Sequence, residues 1–168
     1  AGVCPGQSCQ QAVDLLARLP TPKTSVPEYG ESRFLLRKKR GEPEVWGLDS
    51  VTLVQPSDAG RVIVGGSHAA LLSGRPDSVL REPVLAAVFN DAGVGIDDAG
   101  IKRLPVLDER GIPAAAVACS TARISDARST WETGVLSHLN KTGMMIGGET
   151  GISTRAFIDL VVRKHPRD

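Results

Sequence analysis

The chain has 168 residues, of which 41% are hydrophobic and 23% charged, and its formal net charge is +1 at pH 7. These values are typical of one soluble globular domain and exclude a disordered chain. With little net charge and only 4% aromatic residues, the chain lacks the basic surface and stacking rings of a nucleic-acid-binding protein. No apolar run approaches the ~20 residues that cross a bilayer, so we expect no membrane partner.

Three cysteines, Cys4, Cys9 and Cys119, are an odd number and no second pair completes a tetrahedral metal site. We therefore expect three free thiols in a reducing compartment, and a cytoplasmic protein. The first residues, AGVCPGQSCQ, lack the basic and apolar segments of a signal peptide. The chain does not begin with Met, so the sequence leaves open whether a leader was removed before Ala1.

Residues 1–48 are predicted to form an appendage to the core. Ser8 and Gln11 have the spacing of a capping box, and apolar residues then recur at helical spacing. Residues 20–32 contain three prolines and favour an extended connection. The apolar runs RFLLRKK and EVWGL, which flank the turn sequence RGEP, indicate a β-hairpin.

From residue 49 onward, short apolar runs follow one another without the alternation of half-exposed strands, which predicts strands buried on both faces. The runs are RVIVGG (61–66), PVLAAVFN (83–90), PAAAVACS (113–120) and GMMIGG (143–148). Strands that alternate with helices predict a parallel sheet with right-handed crossovers. We expect a single α/β domain, a three-layer sandwich of flavodoxin-like or other Rossmann-like type, with its parallel core in residues 49–168.

Helical patterns lie between and after these runs. They are DDAGIKRLPVLDERG (97–111), SDARSTWETGVLSHLNKTG (125–143) and STRAFIDLVVRK (153–164). Asp97 and Asp98 are placed to cap the first helix, and Pro105 should kink or split it. Ser153 is the predicted cap of the last helix. His138 falls late in the second helix, so it is not a strong candidate for the site.

Polar and charged residues, together with two glycines, follow every predicted core strand. They are Gly66, Ser67 and His68, then Asn90, Asp91 and Gly93, then Ser120 and Arg123, and finally Glu149. Ligands of open parallel sheets bind beyond the carboxyl ends of the strands, so these residues predict one functional site. Ordinary turn chemistry is the alternative, because turns favour Ser, Asn, Asp and Gly. That alternative accounts poorly for His68 and Arg123.

His68 is the candidate general acid or base, because histidine changes protonation near neutral pH. Asp91 follows a buried strand and needs a partner to offset desolvation, so it is a candidate to orient His68 or to act as a second acid or base. The alternatives are a capping histidine and an Asx-turn. Ser67 and Ser120 are candidate nucleophiles, although the G-x-S-x-G motif is absent. Cys119 is expected to be buried and inert.

Arg123 lies just before a predicted helix, where a guanidinium and free helix N–H groups form an anion receptor. This predicts a substrate with a carboxylate or phosphate, whereas the alternative is an ion pair with Asp126 or Glu132. The other candidate substrate-binding residues are Gly66, Asn90, Gly93 and Glu149. A metal held by His68 with Asp91 or Glu149 is disfavoured because no H-x-x-x-H or H-x-H spacing is present, and no cofactor is expected.

The blocks VIVGGSHAALLSG, AVFNDAGVGIDDAGI and LDERGIPAAAVACSTARISDA resemble those of a set of uncharacterised small bacterial α/β proteins. Those proteins carry G-S-H-G, F-N-D-A-G-x-G and S-A-R-I-x-D-A blocks, and the likeness covers about residues 49–140. This chain departs from them with Ala69 where glycine is usual and with Cys119 before Ser120. The resemblance implies a shared site and no particular reaction.

These observations predict a small-molecule enzyme that acts on an anionic metabolite. Hydrolysis, elimination and isomerisation all fit, because none of these reactions needs a redox cofactor. Hydrolysis is slightly preferred, because two hydroxyls and an imidazole could supply nucleophilic chemistry. The alternative is a non-catalytic ligand-binding or assembly subunit of a larger complex, since no complete catalytic signature is present. A third alternative is a scaffold whose N-terminal helix packs on a partner chain, and we expect a homo-oligomer.

Overall fold

The computed structural model describes residues 2–21, 23–25, 30–76 and 79–166. They fall into two compact units, Ala1–Gly30 and Glu31–Asp168. Of the helices in the described part of the chain, none combines the length and apolar composition that a bilayer crossing requires.

The first unit contains the predicted helix, α1 (Cys9–Leu16). Its capping box is confirmed: the Gln11 N–H donates to the Ser8 hydroxyl oxygen, and the Ser8 N–H donates to the Gln11 side-chain oxygen. None of the residues of α1 is buried. Of the predicted extended connection over 20–32, residues 22 and 26–29 lie outside the described part.

The second unit is built on a sheet whose described strands follow one another in sequence order. They are β1 (Arg33–Arg37), β2 (Val45–Leu48), β3 (Val62–His68), β4 (Ala86–Asn90), β5 (Ala114–Val117) and β6 (Leu136–Leu139). Strands β2 to β5 are parallel, whereas β1 and β6 are antiparallel to their neighbours. The α/β class, the hairpin and the three parallel core strands are therefore confirmed.

The strand order differs from that of flavodoxin-like sheets, in which the chain reverses direction after the first strands and gives the order 2-1-3-4-5. Here each strand pairs with its successor throughout the described sheet. The hairpin also extends the sheet, because β2 pairs in parallel with β3. The compact core accordingly begins at Glu31, before residue 49.

Apolar side chains cover both faces of the sheet, which explains why the strand sequences do not alternate. In β3, Val62 and Val64 point to one face and Ile63 to the other. The first face packs on α5 (Thr154–Lys164), with Phe157 at its centre. The second face packs on α2 (Arg103–Glu109), with Leu107 at its centre. The Ser153 cap of α5 is confirmed, since its hydroxyl accepts from the Ala156 N–H.

The helix predicted over 97–111 is shorter than expected. A 3-10 turn, Ile96–Ile101, precedes α2, and inside it Asp97 and Asp98 have φ values of 52° and 58°. Neither side chain caps a helix, so the predicted caps are wrong. Pro105 lies in the first turn of α2, where its missing N–H costs no intrahelical hydrogen bond, so it neither kinks nor splits α2 and that prediction is wrong.

The helix predicted over 125–143 is also wrong in its second half. Helix α3 (Ala127–Thr133) ends before Gly134, where a Cβ atom would lie 2.4 Å from the Thr130 carbonyl oxygen. The chain then turns into β6, so His138 lies on a strand. Asn140 caps α4 (Lys141–Met145) by accepting from the Gly143 N–H. The predicted strand over 143–148 is therefore a short helix and a turn.

A buried ion-pair network fixes the hairpin to the connection between β2 and β3. Arg33 donates to both oxygens of the Asp58 carboxylate at 2.7 Å, and Arg61 donates to it at 3.3 Å. Both guanidinium groups lie over the ring of Trp46, with their central carbons 4.3 and 5.0 Å from the ring centroid. Burial alone would raise the pKa of Asp58, but hydrogen bonds from Arg33 and the Gln55 N–H outweigh burial and lower it.

We predict that Asp58→Asn lowers the free energy of unfolding by about 3 kcal/mol or more, because it leaves Arg33 without its counter-charge. The pKa of the folded-state carboxyl lies below its ordinary value of 3.8, so its stabilisation is present above pH 3.8 and lost as pH falls further. Denaturant unfolding from pH 7 to pH 3 measures both effects. The matched control is Asp159→Asn, which removes an exposed partner of Arg37 and should cost less than about 1 kcal/mol. Equal losses in the two variants would contradict the prediction.

Candidate functional site

The loop over residues 119–126, after β5, crosses the carboxyl ends of β3 and β4. The Ser125 N–H donates to the Gly66 carbonyl at 2.7 Å. The Asn90 side-chain amide donates to the Ala122 carbonyl at 2.9 Å. The loop after β5 therefore packs on the carboxyl ends of β3 and β4, at one edge of the sheet.

The Asp91 carboxylate joins β4, the loop after β5 and β6. One oxygen accepts from the N–H groups of Gly93 at 2.8 Å and Cys119 at 2.9 Å, and the other accepts from the Ser137 hydroxyl at 2.8 Å. Burial alone would raise the pKa of Asp91, but hydrogen bonds from Gly93, Ser137 and Cys119 outweigh burial and hold the pKa below its usual value. Asp91 is therefore an ionised anchor of this edge, and none of the hydrogen bonds among the described residues joins it to His68.

His68 ends β3 with its imidazole partly buried. Its Nδ1 atom accepts from the Ala70 N–H at 3.2 Å, so Nδ1 carries no proton and the neutral ring carries its proton on Nε2. The adjacent Ser67 hydroxyl oxygen accepts from the Val51 N–H at 2.8 Å. Among the described residues no hydrogen bond connects Ser67 to His68. The imidazole is thus arranged to donate through Nε2.

Arg103, on the first turn of α2, is a residue that the sequence analysis missed. Its side chain is fully buried, and one terminal nitrogen, Nη1, donates to the His68 carbonyl at 3.1 Å. Its Nε and Nη2 atoms are buried without a partner among the described residues. The guanidinium carbon lies 5.1 Å from the centre of the Phe89 ring, and burial lowers the pKa of Arg103 to about 10. One sequence signal could have revealed it: Arg103 stands four positions before Leu107, so helical spacing puts a charged residue on the apolar face of α2.

Unpaired donors in the protein interior are costly, because a buried charge loses its hydration without a compensating partner. Arg103 therefore reduces the stability of the ligand-free fold. A buried donor without a protein partner calls for a partner of another kind, such as a ligand, an ion or an ordered water molecule. Nε and Nη2 of Arg103 are the buried donors of this site that the described residues leave unpaired.

Backbone strain is concentrated in the same three connections. Every non-glycine residue with positive φ in the described part of the chain follows β3, β4 or β5. These residues are Ser73, Ala92, Val94, Asp97, Asp98 and Ser125, with φ from 50° to 64°. The left-handed conformation costs about 1–2 kcal/mol for a residue with a Cβ atom. Such strain clusters at functional sites, so its distribution supports a site at the carboxyl edge.

Arg123 is arranged differently from the predicted anion receptor. Its side chain is 82% exposed and pairs with Asp126, with nitrogen-to-oxygen distances of 3.1 and 3.0 Å. This ion pair is the alternative that the sequence left open. The Asp126 carboxylate also caps α3, so it offsets the positive charge that an anion would need.

Several other predicted residues are committed to the fold or face solvent. Asn90 is fully buried, and its side-chain oxygen accepts from the Ala92 N–H. Ser120 is exposed in the loop after β5. Cys119 is also exposed, so its predicted burial is wrong; β5 ends two residues earlier. Glu149 is exposed in the turn between α4 and α5, because the strand predicted to precede it does not exist.

The chain was compared with protein-family models, curated proteins and solved structures. None matches. Among the described residues, no group of three or more His, Cys, Asp or Glu side chains is placed to hold a metal ion. The chemistry of the residues themselves is therefore the basis for a functional proposal.

We predict that Gly66→Ala displaces the loop over 119–126. A Cβ atom at this position would lie 2.4 Å from the Asp126 nitrogen and 2.7 Å from the Ser125 carbonyl carbon, and backbone atoms cannot move aside cheaply. The expected loss is about 2–3 kcal/mol of unfolding free energy. Gly65→Ala is the matched control, because its nearest contact is 3.2 Å, and it should cost clearly less. Indistinguishable losses would show that the loop does not pack on Gly66.

We also predict the tautomer of His68. Since the Ala70 N–H donates to Nδ1, nitrogen-15 NMR of the neutral ring should show a protonated Nε2 and an unprotonated Nδ1. His165, exposed at the end of α5, serves as the reference for a ring open to solvent. A protonated Nδ1 in neutral His68 would contradict the arrangement.

Proposed function

We propose that the chain is a small-molecule enzyme that acts on a metabolite with a carboxylate or phosphate group, bound at the carboxyl edge of the sheet. We propose further that its core is a three-layer variant of the Rossmann-like folds, since buried apolar clusters lie on both faces of the sheet. The observation that carries the functional proposal is the unpaired, fully buried guanidinium edge of Arg103 next to His68.

The two free donors of Arg103 have the geometry of an oxyanion receptor. Nε and Nη2 form one side of the planar guanidinium, and two parallel N–H bonds from this side match the two oxygens of a carboxylate or phosphate. Nη1 is occupied by the His68 carbonyl. In a site removed from water, such charge-assisted hydrogen bonds are strong because the solvent does not compete for the donors.

His68 is the proposed general acid. In the neutral ring that the Ala70 N–H selects, Nε2–H can donate a hydrogen bond to a developing oxyanion. Protonation of a leaving group requires the imidazolium form, in which Nδ1 is protonated and no longer accepts from the Ala70 N–H. The hydrogen bond between Arg103 and the His68 carbonyl links the anion receptor to the residue that carries the acid. Hydrolysis, elimination and isomerisation all use such a proton donor, and hydrolysis stays our first choice. Ser67 and Ser120 are its proposed nucleophiles.

A non-catalytic ligand-binding or assembly subunit is the second candidate. It is favoured by the bonding of Ser67 and Asn90, whose polar side chains hold backbone groups of the fold. Under this alternative the same anion binds beside Arg103 without being converted. His68→Gln would then leave anion affinity intact, with no turnover to lose.

The chain is further proposed to be a cytoplasmic homo-oligomer. The supporting observation for a reducing compartment is that Cys4, Cys9 and Cys119 are free and exposed thiols. Exposed apolar residues on α1, among them Val13 and Leu16, support an associating N-terminal arm.

We predict opposite effects of Arg103→Met on stability and on anion binding. Removal of an unpaired buried charge should leave the ligand-free melting temperature unchanged or raise it, because Met fills similar volume without a desolvation cost. Inorganic phosphate and malonate, as probes, should raise the melting temperature of the wild type and not that of the variant. Thermal unfolding with and without each anion measures both effects.

Arg123→Met is the matched control, since it removes an exposed and already paired arginine, and it should keep the full anion response. Arg103→Lys keeps the charge but not the planar pair of donors, so it should lose most of the response. A strongly destabilised Arg103→Met together with a wild type insensitive to both anions would assign Arg103 a structural role and overturn the proposal.

A further inference from the structure

A cavity of about 430 Å³ lies between α2 and β6, apart from the Arg103 edge. Its apolar lining includes Leu104 and Pro105 of α2, Leu139 of β6 and Met144 of α4, and His138 lies in the wall formed by β6. This volume falls within the range of small-molecule sites in proteins. The function proposed above makes no use of this cavity.

A β-bulge gives the two polar residues of β6 different surroundings. Ala116 pairs with His138 and Val117 pairs with Leu136, so Ser137 is an extra residue without its own partner on β5. Bulges re-aim side chains in this way. The Ser137 hydroxyl reaches the Asp91 carboxylate at 2.8 Å, whereas His138 lines the cavity.

The hydrogen bonds around Ser137 determine which nitrogen of His138 carries a proton. The Ser137 oxygen lies 2.8 Å from the Asp91 carboxylate, 3.2 Å from the Ala116 carbonyl and 3.1 Å from Nδ1 of His138. The carboxylate and the carbonyl can only accept, so the single hydroxyl proton goes to one of them. Nδ1 must then donate to the Ser137 oxygen. In the neutral ring this leaves Nε2 as an unprotonated acceptor.

The lining of the cavity indicates what this acceptor would bind. The wall carries three acidic and two basic side chains, so most of its charge is offset within the wall. They are Asp98, Asp108, Glu109, Lys102 and Lys141. Apart from His138 and Asn140, the remaining lining residues are apolar, and the Asn140 amide is already bonded to backbone groups. A neutral molecule with an apolar body and one O–H or N–H donor matches this combination.

We propose that this cavity is a second binding site, for a neutral apolar molecule whose single hydrogen-bond donor binds Nε2 of His138. Ser137 and Asp91 are positioning residues, because they act only through the imidazole. The site is independent of Arg103, so each proposal can fail without the other.

The first test needs no ligand. Nitrogen-15 NMR of the full chain should show His138 with Nδ1 protonated and Nε2 unprotonated, the opposite of the tautomer expected for His68. Ser137→Ala should abolish this preference, because the acceptor for Nδ1 is gone. A neutral His138 protonated on Nε2 in the wild type would overturn the proposal.

The second test compares phenol with toluene, which carry a hydroxyl and a methyl group, respectively, on the same ring. In NMR titrations, phenol should shift signals of cavity residues and bind about fivefold more tightly than toluene, the value of one ordinary hydrogen bond. His138→Phe should remove the difference while toluene still binds. His165→Phe, at an exposed histidine outside the cavity, should preserve it.

Ser137→Ala provides a second variant if His138→Phe fails to fold, and it should reduce the preference for phenol without weakening toluene. Equal affinities of phenol and toluene in the wild type would overturn the proposal, as would an unchanged preference in a folded His138→Phe or Ser137→Ala protein. The same holds if neither compound shifts signals of the cavity. Tighter binding of benzoate or benzylamine than of phenol would overturn the neutral ligand class.

Discussion

Three hydrogen bonds to the Asp91 carboxylate hold together the edge of the sheet at which the proposed chemistry takes place. The donors come from the turn after β4, from the loop after β5 and from β6. A carboxylate that receives this many donors remains ionised even when it is buried, because the hydrogen bonds replace its lost hydration. Together with the hydrogen bond from the Asn90 amide to the Ala122 carbonyl, this anchor fixes the loop over 119–126 to the end of β4, and the bond from Ser137 connects β6 to β4.

Arg103 and the strained turns act against the stability that Asp91 supplies. A buried guanidinium with two unsatisfied donors and several left-handed residues each make the ligand-free fold less stable. Natural proteins keep such features where activity or binding needs them. The apolar clusters on both faces of the sheet provide the stability that tolerates these costs.

Much of this arrangement could be predicted from the sequence. The unbroken apolar runs around Val64, Val88 and Ala115 fixed three buried parallel strands, because only a sheet covered on both faces suits such runs. The approach of the loop after β5 to the ends of β3 and β4 is consistent with that topology. The bonding of the polar residues could not be predicted, because a carboxylate that orients a histidine and one that binds backbone N–H groups have the same sequence signature.

The errors have physical causes that a sequence does not display. Val135 and Leu139 continue the helical spacing of α3, yet Gly134 leaves the helical conformation for an extended one with ψ of 127°, and β6 follows. Asn140 then starts a helix where an apolar run suggested a strand. Arg103 went unnoticed because an unsatisfied donor is recognised only when all the neighbouring atoms are known.

The outer margin of β6 has a consequence for self-association. Gly151 and Ile152 exchange hydrogen bonds with Leu136, and Ser153 forms a bridge to Val135, so a returning segment occupies backbone groups that an edge strand normally leaves open. The bulge at Ser137 interrupts the regular ladder beside it. This strand therefore offers no continuous row of free N–H and C=O groups to another molecule. Edge-to-edge pairing at β6, which leads to aggregation, is disfavoured for that reason.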